Sequence, residues 1–96
     1  MANILVCDDD KDIVEAISIY LEQEGYTIFK AYDGLEAINM LRSQKVDLLI
    51  IDIMMPKLDG IRATLKIREE NPLPIIILSA KSEVTKSETE NRKNMN

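Results

Sequence analysis

Histidine is absent from this 96-residue chain, and cysteine occurs once. The first absence removes the commonest general base and metal ligand, so any chemistry must rest on carboxylates, hydroxyls and lysines. The second excludes a disulfide within the chain and fits a reducing compartment. Cys7 lies inside an apolar run and reads as a small buried hydrophobe. Aromatic residues are few and scattered, and Tyr20, Tyr26, Phe29 and Tyr32 make no platform for stacking bases. Positive charge is short as well: a net charge of −5 disfavours nucleic acid or an anionic membrane as the primary partner. No apolar stretch approaches the ~20 residues that span a bilayer. Met1-Ala2-Asn3 leads into strand-like sequence without the basic and apolar segments of a signal peptide. A cytoplasmic location is expected.

What is present fits one small α/β domain. Hydrophobic residues make up 46% and charged residues 30%, ordinary values for a globular protein. Three apolar runs, Ile4 to Cys7, Leu48 to Ile51 and Ile75 to Leu78, do not alternate with polar residues. Such runs fit strands covered on both faces. Tyr26 to Ala31 reads as a further short strand. Between the strands lie amphipathic stretches. Asp10 caps a helix from Lys11 to about Glu24, with Ile13, Ile17, Tyr20 and Leu21 on one face and Gly25 as its stop. Asp33 caps a second, with Leu35, Ile38 and Leu41 facing inward. Gly60 to about Glu70 forms a third, carrying Ile61 and Leu65 four apart, and Asn71-Pro72-Leu73-Pro74 ends it. The alternation predicts a parallel sheet with right-handed crossovers.

In such sheets ligands bind beyond the carboxyl ends of the strands. Asp8 and Asp9, Asp52, and Ser79 all fall at those ends, on three different strands. Clustered carboxylates without histidine or cysteine ligands favour a hard cation, Mg²⁺ or Mn²⁺. Mg²⁺ needs only one or two carboxylates beside phosphate oxygens, an arrangement that suits phosphoryl transfer to Asp52. A hydroxyl such as Ser79 can donate to a phosphoryl oxygen. The Met54 thioether is too soft for Mg²⁺, but its backbone carbonyl, two residues past Asp52, is a suitable ligand. Met40, Met54 and Met55 otherwise read as packing or loop residues, and Asp59-Gly60 as a turn and helix start without a functional role.

Asp8-Asp9 after Ile-Leu-Val, Asp52 before Met54-Met55-Pro56 and Asp59-Gly60, and Ser79-Ala80 after Ile-Ile-Ile-Leu resemble the receiver domain of two-component response regulators, most nearly those of the winged-helix transcription-factor class. The resemblance covers about Asn3 to Lys81. It implies a flavodoxin-like sheet with helices on both faces, and Asp52 as phosphoacceptor. It also implies Mg²⁺ held by Asp8, Asp9, Asp52 and the Met54 carbonyl, with Ser79 sensing the phosphoryl group. The implied donor is a sensor histidine kinase, and DNA would be met only through an output domain absent from this chain. An aspartate-nucleophile phosphohydrolase would need a second Asp two residues after Asp52, where Met54 stands, so an enzyme is not expected. A flavin-binding flavodoxin is disfavoured because the first strand leads into acidic residues and no phosphate-cradling loop.

The resemblance also has gaps. Receivers continue past Ser79-Ala80 with a helix, a fifth strand ending in Lys-Pro, and a last helix. Those elements, the family lysine and the aromatic switch residue find no match here. Lys57 and Lys81 read as solvated surface lysines. The expected organisation is therefore a truncated receiver over residues 1–81, with strand order 2-1-3-4, and a polar tail over 82–96 able to form a surface helix. Phosphoryl transfer would be impaired. The strand Ile75 to Leu78 would be a bare apolar edge, and a homodimer through it or through the C-terminal segment is expected.

Overall fold

Strands and helices alternate through the computed structural model, which describes residues 2–55 and 60–78. The elements are β1 (Asn3–Cys7), α1 (Lys11–Gln23), β2 (Thr27–Ala31), α2 (Gly34–Ser43), β3 (Leu48–Asp52), α3 (Gly60–Glu70) and β4 (Ile75–Leu78). Among the described residues the strands form one parallel sheet in the order β2-β1-β3-β4, the order expected. Asp52 is the last residue of β3, paired with Leu78, at the carboxyl end where the sequence placed it.

The uninterrupted apolar runs have a direct physical reason. Successive side chains of a strand point to opposite faces, so a strand covered on both sides needs apolar residues at every position. Leu5, Cys7, Leu49 and Ile51 enter the core on the face shared with Ala37, Ile38, Ala63 and Ile67 of α2 and α3. Ile4, Val6 and Ile50 enter the core on the opposite face, with Val14 of α1. The expected helices on both faces are therefore present.

Local chemistry sets the helix ends. Asp10 caps α1, its Oδ1 accepting from the N–H groups of Asp12 (2.9 Å) and Ile13 (3.4 Å). Asp33 caps α2 by accepting from the Glu36 N–H (2.8 Å), and the Glu36 carboxylate accepts in return from the Tyr32 N–H (2.8 Å). Gly25, at φ 99°, follows α1 in the left-handed region that glycine adopts without steric cost. Arg42 and Glu70 join α2 to α3 through two hydrogen bonds of 3.0 and 2.6 Å. No helix among the described residues is long and apolar enough to cross a membrane.

The helix faces follow the hydrophobic pattern in part: Ile38 is buried, and Ile17, Leu21 and Leu41 pack against the cores as expected. Tyr20, expected on the inner face of α1, is 63% exposed, and Leu35, expected on the inner face of α2, is 57% exposed. Ile61 and Leu65 of α3 are exposed too. The buried helix residues are Val14 and Ser18 on α1, Gly34, Ala37 and Ile38 on α2, and Gly60, Ala63, Thr64 and Ile67 on α3. They recur at three- and four-residue spacing, as a helix face must, but most are small. Small side chains let helices lie close to the sheet, and the larger apolar residues are left to the flanks.

Gly60 is the extreme case, since a Cβ there would overlap the Asp52 carbonyl oxygen and the Ile53 Cα. Thr64 satisfies its buried hydroxyl by donating to the Gly60 carbonyl (2.7 Å), whereas the buried Ser18 hydroxyl has no hydrogen-bond partner.

Two opposite outcomes follow for urea denaturation. Ser18→Ala is expected to raise stability by about 1 kcal/mol, because it removes a desolvated hydroxyl and improves helix propensity. Gly60→Ala is expected to lower it by about 2 kcal/mol, since overlap with backbone outweighs the propensity gain. A destabilised Ser18→Ala or a neutral Gly60→Ala would contradict this packing.

Candidate metal centre

The register of the two central strands assembles the site. β1 and β3 pair through Cys7 and Ile51, so the next residue on each, Asp8 and Asp52, emerges at the same sheet edge. Both carboxylates are buried, and Asp9 beside them is exposed. Carboxylate oxygens of Asp8, Asp9 and Asp52 lie within 4.8 Å of one another, close enough to share one metal ion.

Backbone groups orient these side chains. The Asp8 N–H donates to the Ala31 carbonyl (3.2 Å), extending the β1–β2 ladder one step past Cys7. The Asp8 Oδ1 accepts from the Asp10 N–H (3.0 Å), and the Asp52 Oδ1 accepts from the Met54 N–H (3.0 Å). Each bond spans two residues and fixes its carboxylate against its own loop. Met54 is 58% exposed, whereas the next residue, Met55, is 4% exposed and belongs to the α2–α3 core. Lys11, at the start of α1, lies 5.6 Å from the centre of the Tyr32 ring, within cation–π range.

The donor set consists of hard oxygens, and two of the three carboxylates are withdrawn from bulk water. Like charges at such separation repel, and a divalent cation relieves that repulsion. The residues therefore fit a hard divalent ion rather than a thiophilic one. Cys7, next to Asp8, offers no thiolate: burial first, then the charges of Asp33, Asp8, Glu36 and Asp52, push its thiol up to about 12.

Of the residues singled out in the sequence, the structure brings Asp8, Asp9 and Asp52 together and puts Met54 beside them. Ser79, Lys57, Lys81, Asp59 and the polar segment 82–96 lie outside the described residues. Gly60 was expected to start the third helix and does, but the sequence did not show that it lies so close to the Asp52 backbone that no Cβ would fit. A glycine opening a helix just after an acidic strand tip was the available signal. Met55 and Cys7 were read as bland packing residues. Nothing in their types or spacing marked the buried 3.8 Å contact between the Cys7 thiol and the Met55 sulfur.

Comparison with known proteins agrees with this geometry. The response regulator receiver domain family matches residues 4–95. Response regulator GtcR of Aneurinibacillus migulanus is 51% identical over 79 residues, covering 82% of this chain and 33% of that protein. Regulatory protein VanR of Enterococcus faecium is 40% identical over 81% of this chain and 34% of its own length. The chain thus spans about a third of these curated relatives. Among solved structures, response regulator TrrA of Thermotoga maritima, in complex with Mg²⁺–BeF, superimposes with a TM-score of 0.79 at 39% identity, over 86% of this chain and 73% of that one. A Francisella response regulator receiver domain gives 0.79 at 38% identity, over 97% and 77%. With its strand order, its acidic edge and these relatives, the chain belongs to the response regulator receiver domain family of two-component systems.

Proposed function

We propose that this receiver domain holds Mg²⁺ with Asp8, Asp9, Asp52 and the Met54 backbone carbonyl, and accepts a phosphoryl group on Asp52 from a sensor histidine kinase. The observation that carries this is the meeting of three carboxylates within 4.8 Å at the end of β1 and β3. The Mg²⁺–BeF complex of the relative TrrA supports the choice of cation. When bound, Mg²⁺ would neutralise charge on the transferring oxygens.

The chain's own residues do the rest. An Asp52 oxygen attacks phosphorus, the phosphorus–nitrogen bond to the donor histidine breaks, and the released nitrogen keeps its electron pair. The Met54 N–H holds the Asp52 carboxylate in one orientation during the attack. Burial of Asp52 at the sheet edge keeps bulk water from the acyl phosphate formed. Ser79 is assigned the hydrogen bond to a phosphoryl oxygen. Asp52 is the group modified, which makes the domain a signalling module and not an enzyme with a turned-over substrate. Regulation of transcription through a winged-helix output domain, and a cytoplasmic location, belong to the same proposal.

Intact mass after incubation with Mg²⁺ and acetyl phosphate tests it. One phosphoryl adduct is expected on the parent chain, and none on Asp52→Asn or in excess EDTA. An unmodified parent chain, or an adduct that survives in Asp52→Asn, would overturn the assignment.

A second reading rests on β4. Every residue of that strand is apolar, and Ile76 and Ile77 are 50% and 45% exposed. Ile76 and Leu78 also line an apolar groove with Ile17, Tyr20, Leu21 and Ile50. Parallel strands are ordinarily covered on both faces. A second copy, pairing β4 with β4 about a two-fold axis, would supply matching apolar cover. In that reading the fold and metal site persist as a self-associating module without phosphotransfer. Light scattering at micromolar concentration is expected to give a dimer that Ile76→Glu dissociates. A clean monomer for the parent chain would rule this out.

A further inference from the structure

We infer that Met55 is a positioning residue for the cation site, acting through its buried contact with Cys7. The inference rests on the metal reading above and adds a residue that touches neither cation nor phosphoryl group. Met54 and Met55 are adjacent yet oppositely placed, one turned to solvent and one sealed in the core. The peptide between them leads from the carbonyl assigned to the metal directly to the buried anchor.

The Met55 sulfur lies 3.8 Å from the Cys7 sulfur, and the Cys7 thiol lies within hydrogen-bond reach of the Asp33 carbonyl (3.4 Å). Cys7 immediately precedes Asp8 and Asp9 in the chain. One sulfur pair therefore fastens the loop after β3 to the strand end that carries the other two carboxylates, and Cys7 reaches the loop after β2 as well. The opposite side of the β3 loop is set by Gly60 under Asp52. With Met55 anchored, the Asp52–Met54 turn and its 3.0 Å hydrogen bond have little room to move. With Met55 shortened, the contact with Cys7 is lost, and with it a tie between the Met54–Met55 peptide and the strand end that leads to Asp8 and Asp9.

A thioether suits this position. It is apolar enough for the core and polarisable enough to pack against the thiol, and its unbranched chain reaches across to β1. It is not a ligand here, because sulfur of this kind is soft and the site is hard.

Calorimetric titration of the 96-residue chain with Mg²⁺ tests the inference, with circular dichroism confirming that each variant is folded. Met55→Ala and Met55→Val, both too short to reach Cys7, are expected to weaken Mg²⁺ binding about tenfold, the size seen when residues that orient metal ligands are removed. Met55→Leu, which restores length and volume, is expected to stay within about twofold of the parent. Ile67→Ala, from the same core but away from the loop, is the control for lost stability and is expected to leave affinity unchanged. Parent-like binding by both short variants, or an equal loss in Ile67→Ala, would overturn the role of Met55. A parent chain that binds no Mg²⁺, indistinguishable from Asp9→Asn, would instead overturn the metal reading and this inference with it.

Discussion

Parallel pairing of Cys7 with Ile51 leaves the next residue of each strand, Asp8 and Asp52, side by side where the ladder ends. Nothing in the carboxylates themselves favours that meeting, since like charges repel. It is enforced by the apolar residues behind them: Leu5, Cys7, Leu49 and Ile51 on one face, Ile4, Val6 and Ile50 on the other. A one-residue slip of β1 against β3 would move every β1 side chain to the opposite face and part Asp8 from Asp52. The hydrophobic cores thus hold the acidic edge together, and the edge in turn creates the demand for a cation.

That dependence explains why so many small residues surround the site. Gly60 starts α3 against the Asp52 backbone, and Ala63, Thr64, Gly34 and Ala37 keep the helices low on the sheet. Gly60 lies against the Asp52 and Ile53 backbone, and Met55 packs its sulfur against Cys7. Hydrogen bonds then fix the carboxylate orientation locally.

Much of this was legible in the sequence. The continuous Ile, Leu and Val runs announced parallel strands, buried in β1 and β3 but half exposed in β4, the caps Asp10 and Asp33 marked helix starts, and acidic residues after two strands marked the functional edge. The helix faces were legible only in part: Ile38 is buried and Ile17, Leu21 and Leu41 pack against the cores as expected, but the outward turn of Tyr20 and Leu35 was not foreseen. Tyr20 and Leu35 look like core residues by hydrophobicity, whereas Ser18, Gly34, Ala37 and Thr64 do not, and it is the second group that is buried. Close packing selects for size there, and a hydrophobic pattern does not report size. The Cys7–Met55 contact was hidden for another reason: it joins residues 48 positions apart whose types are unremarkable in apolar surroundings. The three-carboxylate cluster could be foreseen from strand ends, because topology gathers those ends whatever the details of packing.

The account stands or falls on whether the acidic edge is one cation site. A Mg²⁺ titration followed by ¹H–¹⁵N correlation spectra measures that directly, residue by residue. Saturable one-site shifts are predicted, centred on the amides of Asp8, Asp9, Asp10, Asp52, Met54 and Met55, and lost in Asp52→Asn. An unchanged spectrum, or weak unsaturating shifts spread over surface acids such as Asp12, Glu15 and Glu22, would contradict it.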